Sequence, residues 1–225
     1  MAVIEGGASA ALVDVGAATK ASRVELRPTD VGVLGAYAVA IESGTMAAGL
    51  AAAAPIFSVR WGDATRTMLV HRVGITAKNL TTAFVAGVTL FDCIQARSFT
   101  ASDTAGTAVT LTGNNAKRRT SFGSSLVTDM RISSTATLTA GTRTLDSNAV
   151  GLVRGFVPAT SVNYPFVGTG IQNVSGASTI AYSTEWLDLF QMDVVNEWPL
   201  TFVQNEGLIV RATVPGTGTW TFAIL

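Results

Sequence analysis

Few side chains in this sequence are of types that do chemistry, and their spacing sorts them quickly. His71 is the only histidine. It lies in Met68-Leu69-Val70-His71-Arg72-Val73, an apolar run that reads as a strand. A catalytic base there would need a nucleophile and an orienting carboxylate, and the sequence identifies neither. The expectation is a hydrogen-bonded strand residue. One histidine also excludes a His-rich metal site within one chain. Cys93 is the only cysteine, so no intramolecular disulfide can form and no CxxC motif exists for zinc. In Phe91-Asp92-Cys93-Ile94 it reads as a small buried hydrophobe. A nucleophilic role would need a neighbouring base or helix N-terminus to lower its pKa.

The carboxylates Glu185, Asp188, Asp193, Glu197 and Glu206 gather late in the chain. Glycoside hydrolysis needs two of them across a cleft, and a calcium site needs several oxygen ligands. Their spacing matches no DxDxDG loop and reads as the polar rim of a sheet. Lys117-Arg118-Arg119 is the only compact basic run. It follows the turn Gly113-Asn114-Asn115, which places it in an exposed loop, either simply solvated or able to meet an acidic patch on a partner or a phosphate backbone. A nucleic-acid binder would show a broader basic surface with stacking aromatics. The glycines form neither GxxxxGK[ST] nor a GxGxxG between strand and helix. Asn79-Leu80-Thr81 and Asn173-Val174-Ser175 fit a glycosylation pattern but read as chance matches. The sequence therefore predicts a non-enzyme, with no catalytic, cofactor-binding or metal-ligating residues.

Composition points to a subunit. Charged residues are 13% of the 225, about half the usual quarter. Lys+Arg and Asp+Glu are equal at 15 each. Near-zero net charge favours self-association and argues against nucleic acid as a partner. Mean hydropathy is +0.40, yet it comes from Ala and small β-branched residues. No apolar stretch approaches the roughly 20 residues of a membrane span, so no membrane is expected. The Ala-rich run from Met46 to Ala54 is closed by Pro55. MAVIEGGASA lacks a basic region followed by an apolar core, which predicts no signal peptide and synthesis in a cytoplasm.

The elements that must position these residues read as strands. Period-2 alternation runs through Tyr37, Val39 and Ile41, through Phe57, Val59 and Trp61, through Leu208 to Val214, and through Trp220, Phe222 and Ile224. Arg66 to Ile75 is apolar on both faces, as in a central strand. Phe84 to Phe99 is long, with a bend or bulge expected near Asp92. Thr107 to Thr112, Leu126 to Ile132 and Val150 to Val157 are further strand candidates. Thr184 to Val195 fits one or two helical turns or a strand. Turn signals separate these runs at Gly62-Asp63, Asn205-Glu206-Gly207 and Pro215-Gly216-Thr217-Gly218.

The pattern predicts an all-β fold, a jelly roll or related β-sandwich, as one domain over residues 30–225. Residues 1–29 read as an extended N-terminal arm. Its apolar Ala2, Val3, Ile4, Val13 and Val15, together with Lys117, Arg118 and Arg119, are the candidate partner contacts.

Two stretches carry a resemblance. The first runs from Phe91-Asp92 through Ala96-Arg97-Ser98-Phe99-Thr100-Ala101-Ser102. It continues to Thr110-Leu111-Thr112-Gly113-Asn114-Asn115, Lys117-Arg118-Arg119-Thr120 and Thr144-Leu145-Asp146. The second comprises Pro199-Leu200, Asn205-Glu206-Gly207-Leu208-Ile209-Val210-Arg211 and Thr217-Gly218-Thr219-Trp220-Thr221-Phe222. Together, over residues 35–225, the chain resembles uncharacterised virion proteins of tailed bacteriophages, encoded among head and tail genes. The resemblance implies a many-copy virion component, made in the host cytoplasm. It would be a capsid cement or decoration protein bridging major capsid proteins, or contacting other virion proteins, as a homo-oligomer (dimer or trimer). A tail, baseplate or fibre-attachment protein is the alternative in the same class. A carbohydrate-binding β-sandwich is a further one, with Trp186, Trp198 and Tyr182 as its candidate aromatics. A polysaccharide-degrading enzyme using Glu185 and Asp188 is the remaining rival.

Overall fold

The computed structural model describes residues 5–6, 11–12, 35–47, 49–157, 162, 165–167, 186–192 and 199–225. The chain divides into two compact units, Met1–Leu34 and Gly35–Leu225. In the first, β1 (Glu5–Gly6) pairs antiparallel with β2 (Ala11–Leu12). The contact candidates Ala2, Val3, Ile4, Val13 and Val15 lie outside the described residues.

The second unit is built from β3 (Ile41–Glu42), β4 (Met46–Ala47), β5 (Ala54–Trp61), β6 (Met68–Val70), β7 (Arg72–Asn79), β8 (Gly87–Arg97), β9 (Thr107–Ala108), β10 (Val127–Ile132), β11 (Thr144–Leu145), β12 (Gly151–Val157), β13 (Pro165–Val167), β14 (Leu187–Gln191), β15 (Leu200–Phe202), β16 (Glu206–Thr213) and β17 (Thr219–Ile224). Every pairing is antiparallel, and no helix occurs among the described residues. Seven strands form one sheet in the order β11-β8-β16-β5-β10-β9, with β12 beside β11 on the same edge of β8. Six form a second sheet in the order β13-β7-β17-β3, with β14 also on β7 and β4 also on β17. A short ladder joins β15 to β6.

The two sheets pack face to face as an all-β sandwich, as the alternation predicts. Period 2 sends Phe57, Val59 and Trp61 of β5, Phe91 and Cys93 of β8, and Leu208, Val210 and Ala212 of β16 into one core. Val73, Ile75 and Ala77 of β7 and Trp220, Phe222 and Ile224 of β17 meet them there. Phe91 lies against Phe166 and Trp220 at ring separations of 6.2 and 5.9 Å, the range in which aromatic pairs attract. Trp220 is fully buried, and its indole N–H donates to the Ala47 carbonyl at 3.2 Å.

Two local expectations need correction, and one reading left open is decided. The run from Arg66 to Ile75 is not one strand: it breaks at His71, which is exposed between β6 and β7. β8 has no bulge at Asp92, because the register with both neighbours runs unbroken through that residue. The carboxylate is instead satisfied across the ladder, where directly paired Arg211 donates to it at 2.7 and 2.8 Å. The segment around Leu187 is a strand, with its irregularity between Asp188 and Phe190.

Candidate functional site

The residues singled out for chemistry are dispersed. His71 is exposed, and its carbonyl accepts from the Met192 amide at 2.9 Å. Cys93 is fully buried on the core face of β8. Burial, and then the neighbouring Asp92 charge, push its thiol far above the ordinary range, so it is a poor nucleophile. Asp188 pairs with Arg72 at 2.5 Å. Glu206 pairs with Arg97 at 2.5 Å, and Arg97 also holds Asp146 at 3.2 Å. These two carboxylates hold Arg97 above its ordinary pKa, Asp146 first, and tie β8, β11 and β16 together. Glu185, Asp193, Glu197, Tyr182 and Trp198 lie outside the described residues, while Trp186 is half-buried. Among the described residues no group of three or more His, Cys, Asp or Glu is placed to hold a metal.

The basic loop has a more definite position. Lys117 bridges Tyr37, the Ala38 amide donates to the Ala116 carbonyl at 2.9 Å, and the Arg118 amide donates to the Ala36 carbonyl at 2.9 Å. Arg118 and Arg119 are exposed, and Arg119 stands over the Phe122 ring at 5.4 Å. Lys117 and Arg118 edge an open groove of about 340 Å³ that also touches Ala38, Val39, Ala40 and Leu225.

The outer face of the seven-stranded sheet is the least ordinary surface. Around the C-terminal half of β8, Ile94 and Ala96 pack with Ile209 of β16 in a second, smaller core. Phe99 and Leu145 cover them. That cover is firmly held. Arg60 donates to the Phe99 carbonyl at 2.7 Å and to Ser102 Oγ at 3.2 Å. The Arg143 guanidinium lies over the Phe99 ring at 5.3 Å and pairs with buried Asp103. Burial draws Arg143 down to about 10, which leaves it cationic at neutral pH.

Nothing described covers the N-terminal half. There β12 pairs with β8, setting Phe156 opposite Val88, Arg154 opposite Leu90 and Leu152 opposite Asp92. Val88 is 58% exposed, Leu152 52% and Phe156 54%. The inward side of the strand alternates Gly151 and Gly155 with Val153 and Val157, which join the core, while the larger Leu152, Arg154 and Phe156 lie on the outward side. A Cβ on Gly151 would stand 1.4 Å from the Leu189 carbonyl oxygen, and one on Gly155 2.0 Å from that of Phe166. The inner face thus gives up side chains so that β14 and β13 can approach, and Leu152, Arg154 and Phe156 point away from the core. Arg154 has no ion-pair partner among the described residues. Sequence reading finds the strand but misses this face. The readable signal is Gly151 and Gly155, four residues apart on one side of a strand, since glycine there marks close backbone approach.

No protein-family model, no curated protein and no solved structure matches this chain.

Proposed function

We propose that the chain is a structural component of a tailed-bacteriophage particle, a capsid cement or decoration protein that bridges and stabilises adjacent major capsid proteins. The observation that carries this reading is the uncovered apolar face of β8 and β12. Large side chains held out of a core by inward glycines suit burial against another protein chain. Low charge and equal numbers of both signs suit a subunit packed among neighbours. The resemblance of residues 35–225 to virion proteins supplies the particle. The arm residues and the exposed Lys117–Arg119 loop are the contacts assigned to the capsid. A subunit that binds only the assembled shell stabilises that shell by mass action.

Quantitative mass spectrometry of purified particles tests this reading. A cement protein is expected in stoichiometric proportion to the major capsid protein. Copy numbers typical of a tail or baseplate ring would move it to the alternative virion role. Absence from purified particles would overturn the proposal.

A further inference from the structure

We infer that the outer face of β8 and β12 is a homodimer interface, on which a second copy seats the same face about a twofold axis, burying Val88, Leu152 and Phe156. The inference rests on reading the chain as a subunit but not on the particle to which it belongs.

Area supports a second copy as the occupant. The exposed parts of Val88, Leu152 and Phe156, with adjoining Val150 and the aliphatic stem of Arg154, amount to about 300–400 Å², the size of the largest patch on a typical monomer. A standard interface takes about 800 Å² from each partner, a little over half of it apolar. One such face therefore supplies most of the apolar area that one side of a dimer needs.

Symmetry and charge agree with this. A twofold contact requires one self-complementary patch, and it is the commonest arrangement among soluble oligomers. The face is a regular sheet surface, and two sheets stack face to face about 10 Å apart. With a formal net charge of +0, two copies meet without bulk repulsion. Arg211 at the border of the face is neutralised by Asp92, and Arg154 can lay its stem along the apolar surface and carry its head to the rim. The glycines explain why the bulk lies outward. Gly151 and Gly155 leave no room for side chains at their own positions, so on the core side β12 contributes only Val153 and Val157, while Leu152 and Phe156 stay outside the monomer's core.

Sedimentation velocity of the full chain over a wide concentration range tests the inference. A monomer–dimer equilibrium is expected. Phe156→Asp and Leu152→Asp should each weaken it by about thirtyfold or more, with the near-ultraviolet dichroism of the monomer unchanged. A positive readout guards against misfolded variants. Leu152→Cys should cross-link to its own copy with a short bis-maleimide, while Ala108→Cys, on the opposite edge of the sheet, should not. A monomer at every concentration overturns the inference. So does a dimer indifferent to both aspartate variants, which would place the contact elsewhere. Loss of the dimer on deleting residues 1–34, with Leu152→Cys failing to cross-link, makes the occupant a neighbour's arm and overturns the face-to-face contact. Leu152→Asp destabilising a monomer would show the face covered by the chain's own residues, and would overturn that contact as well. None of these outcomes bears on whether the chain is found in purified particles.

Discussion

Strand β8 presents two stretches of the same outward face, and they have opposite fates. Around Ile94 and Ala96 the chain folds back to cover its own sheet with Phe99 and Leu145. Around Val88 no described residue covers the sheet, and Leu152 and Phe156 stand exposed beside it. The ion pair of Asp92 with Arg211 stands between them. The covered stretch belongs to the stability of one molecule, whereas the open stretch can contribute only when a second molecule arrives. Apolar surface has the same value per unit area in both; what differs is which molecule removes it from water.

Substitutions can break this contrast. Phe99→Ala should destabilise the isolated protein by about 3–5 kcal/mol, read as a shift in the urea midpoint. Phe156→Ala, measured dilute, should stay within about 0.5 kcal/mol. Equal costs would erase the distinction. Asp103→Ala leaves Arg143 buried without its carboxylate and should cost about 3 kcal/mol or more. Adding Arg143→Met should recover much of that loss, because the buried charge is then gone.

Gly151→Ala should cost about 1–3 kcal/mol through the clash with the Leu189 carbonyl. The adjacent Leu152→Ala should be nearly silent, which separates the two faces of β12 by a single residue. Cys93 gives a kinetic version of the test. Its raised pKa and burial should protect it from alkylation at neutral and mildly alkaline pH. Phe99→Ala should speed its labelling, and Leu152→Ala should not. The smallest effect is concentration dependence. Leu152→Ala should lower the unfolding midpoint only where the wild-type chain is dimeric.

The sandwich is legible in the sequence because large apolar residues recur at every second position on the core side of β5, β16 and β17, even where the other side is covered too, as at Ile209. Phe57, Val59 and Trp61, or Trp220, Phe222 and Ile224, need no partner to be recognised. Strand order is not legible, since β16 pairs with β5 across some 150 positions of sequence, and nothing local encodes that. Asp92 reads as a disruption because its partner, Arg211, lies 119 residues away. His71 reads as the interior of a strand because the apolar residues on both sides of it hide the break. The open face is hidden for a different reason. In Leu152-Val153-Arg154-Gly155-Phe156 either parity can be the buried one, and only the backbone approach of β13 and β14 decides. The arm candidates fall outside the described residues, so the sequence reading of them stands as an expectation.

The strand order also sets when the molecule can fold. β16 lies between β8 and β5, and β17 lies between β7 and the short β3 and β4. Both follow every other strand in the chain. On a ribosome the flanking strands therefore emerge first and wait, with their edges unpaired, until residues 206–224 clear the exit tunnel. Neither sheet can close by local hairpins alone, and such long-range pairing is slow. During that interval the exposed edges are open to mispairing with other nascent chains. A nonsense codon anywhere before Glu206 would remove the keystone strand of both sheets together, leaving a product with neither half of the sandwich.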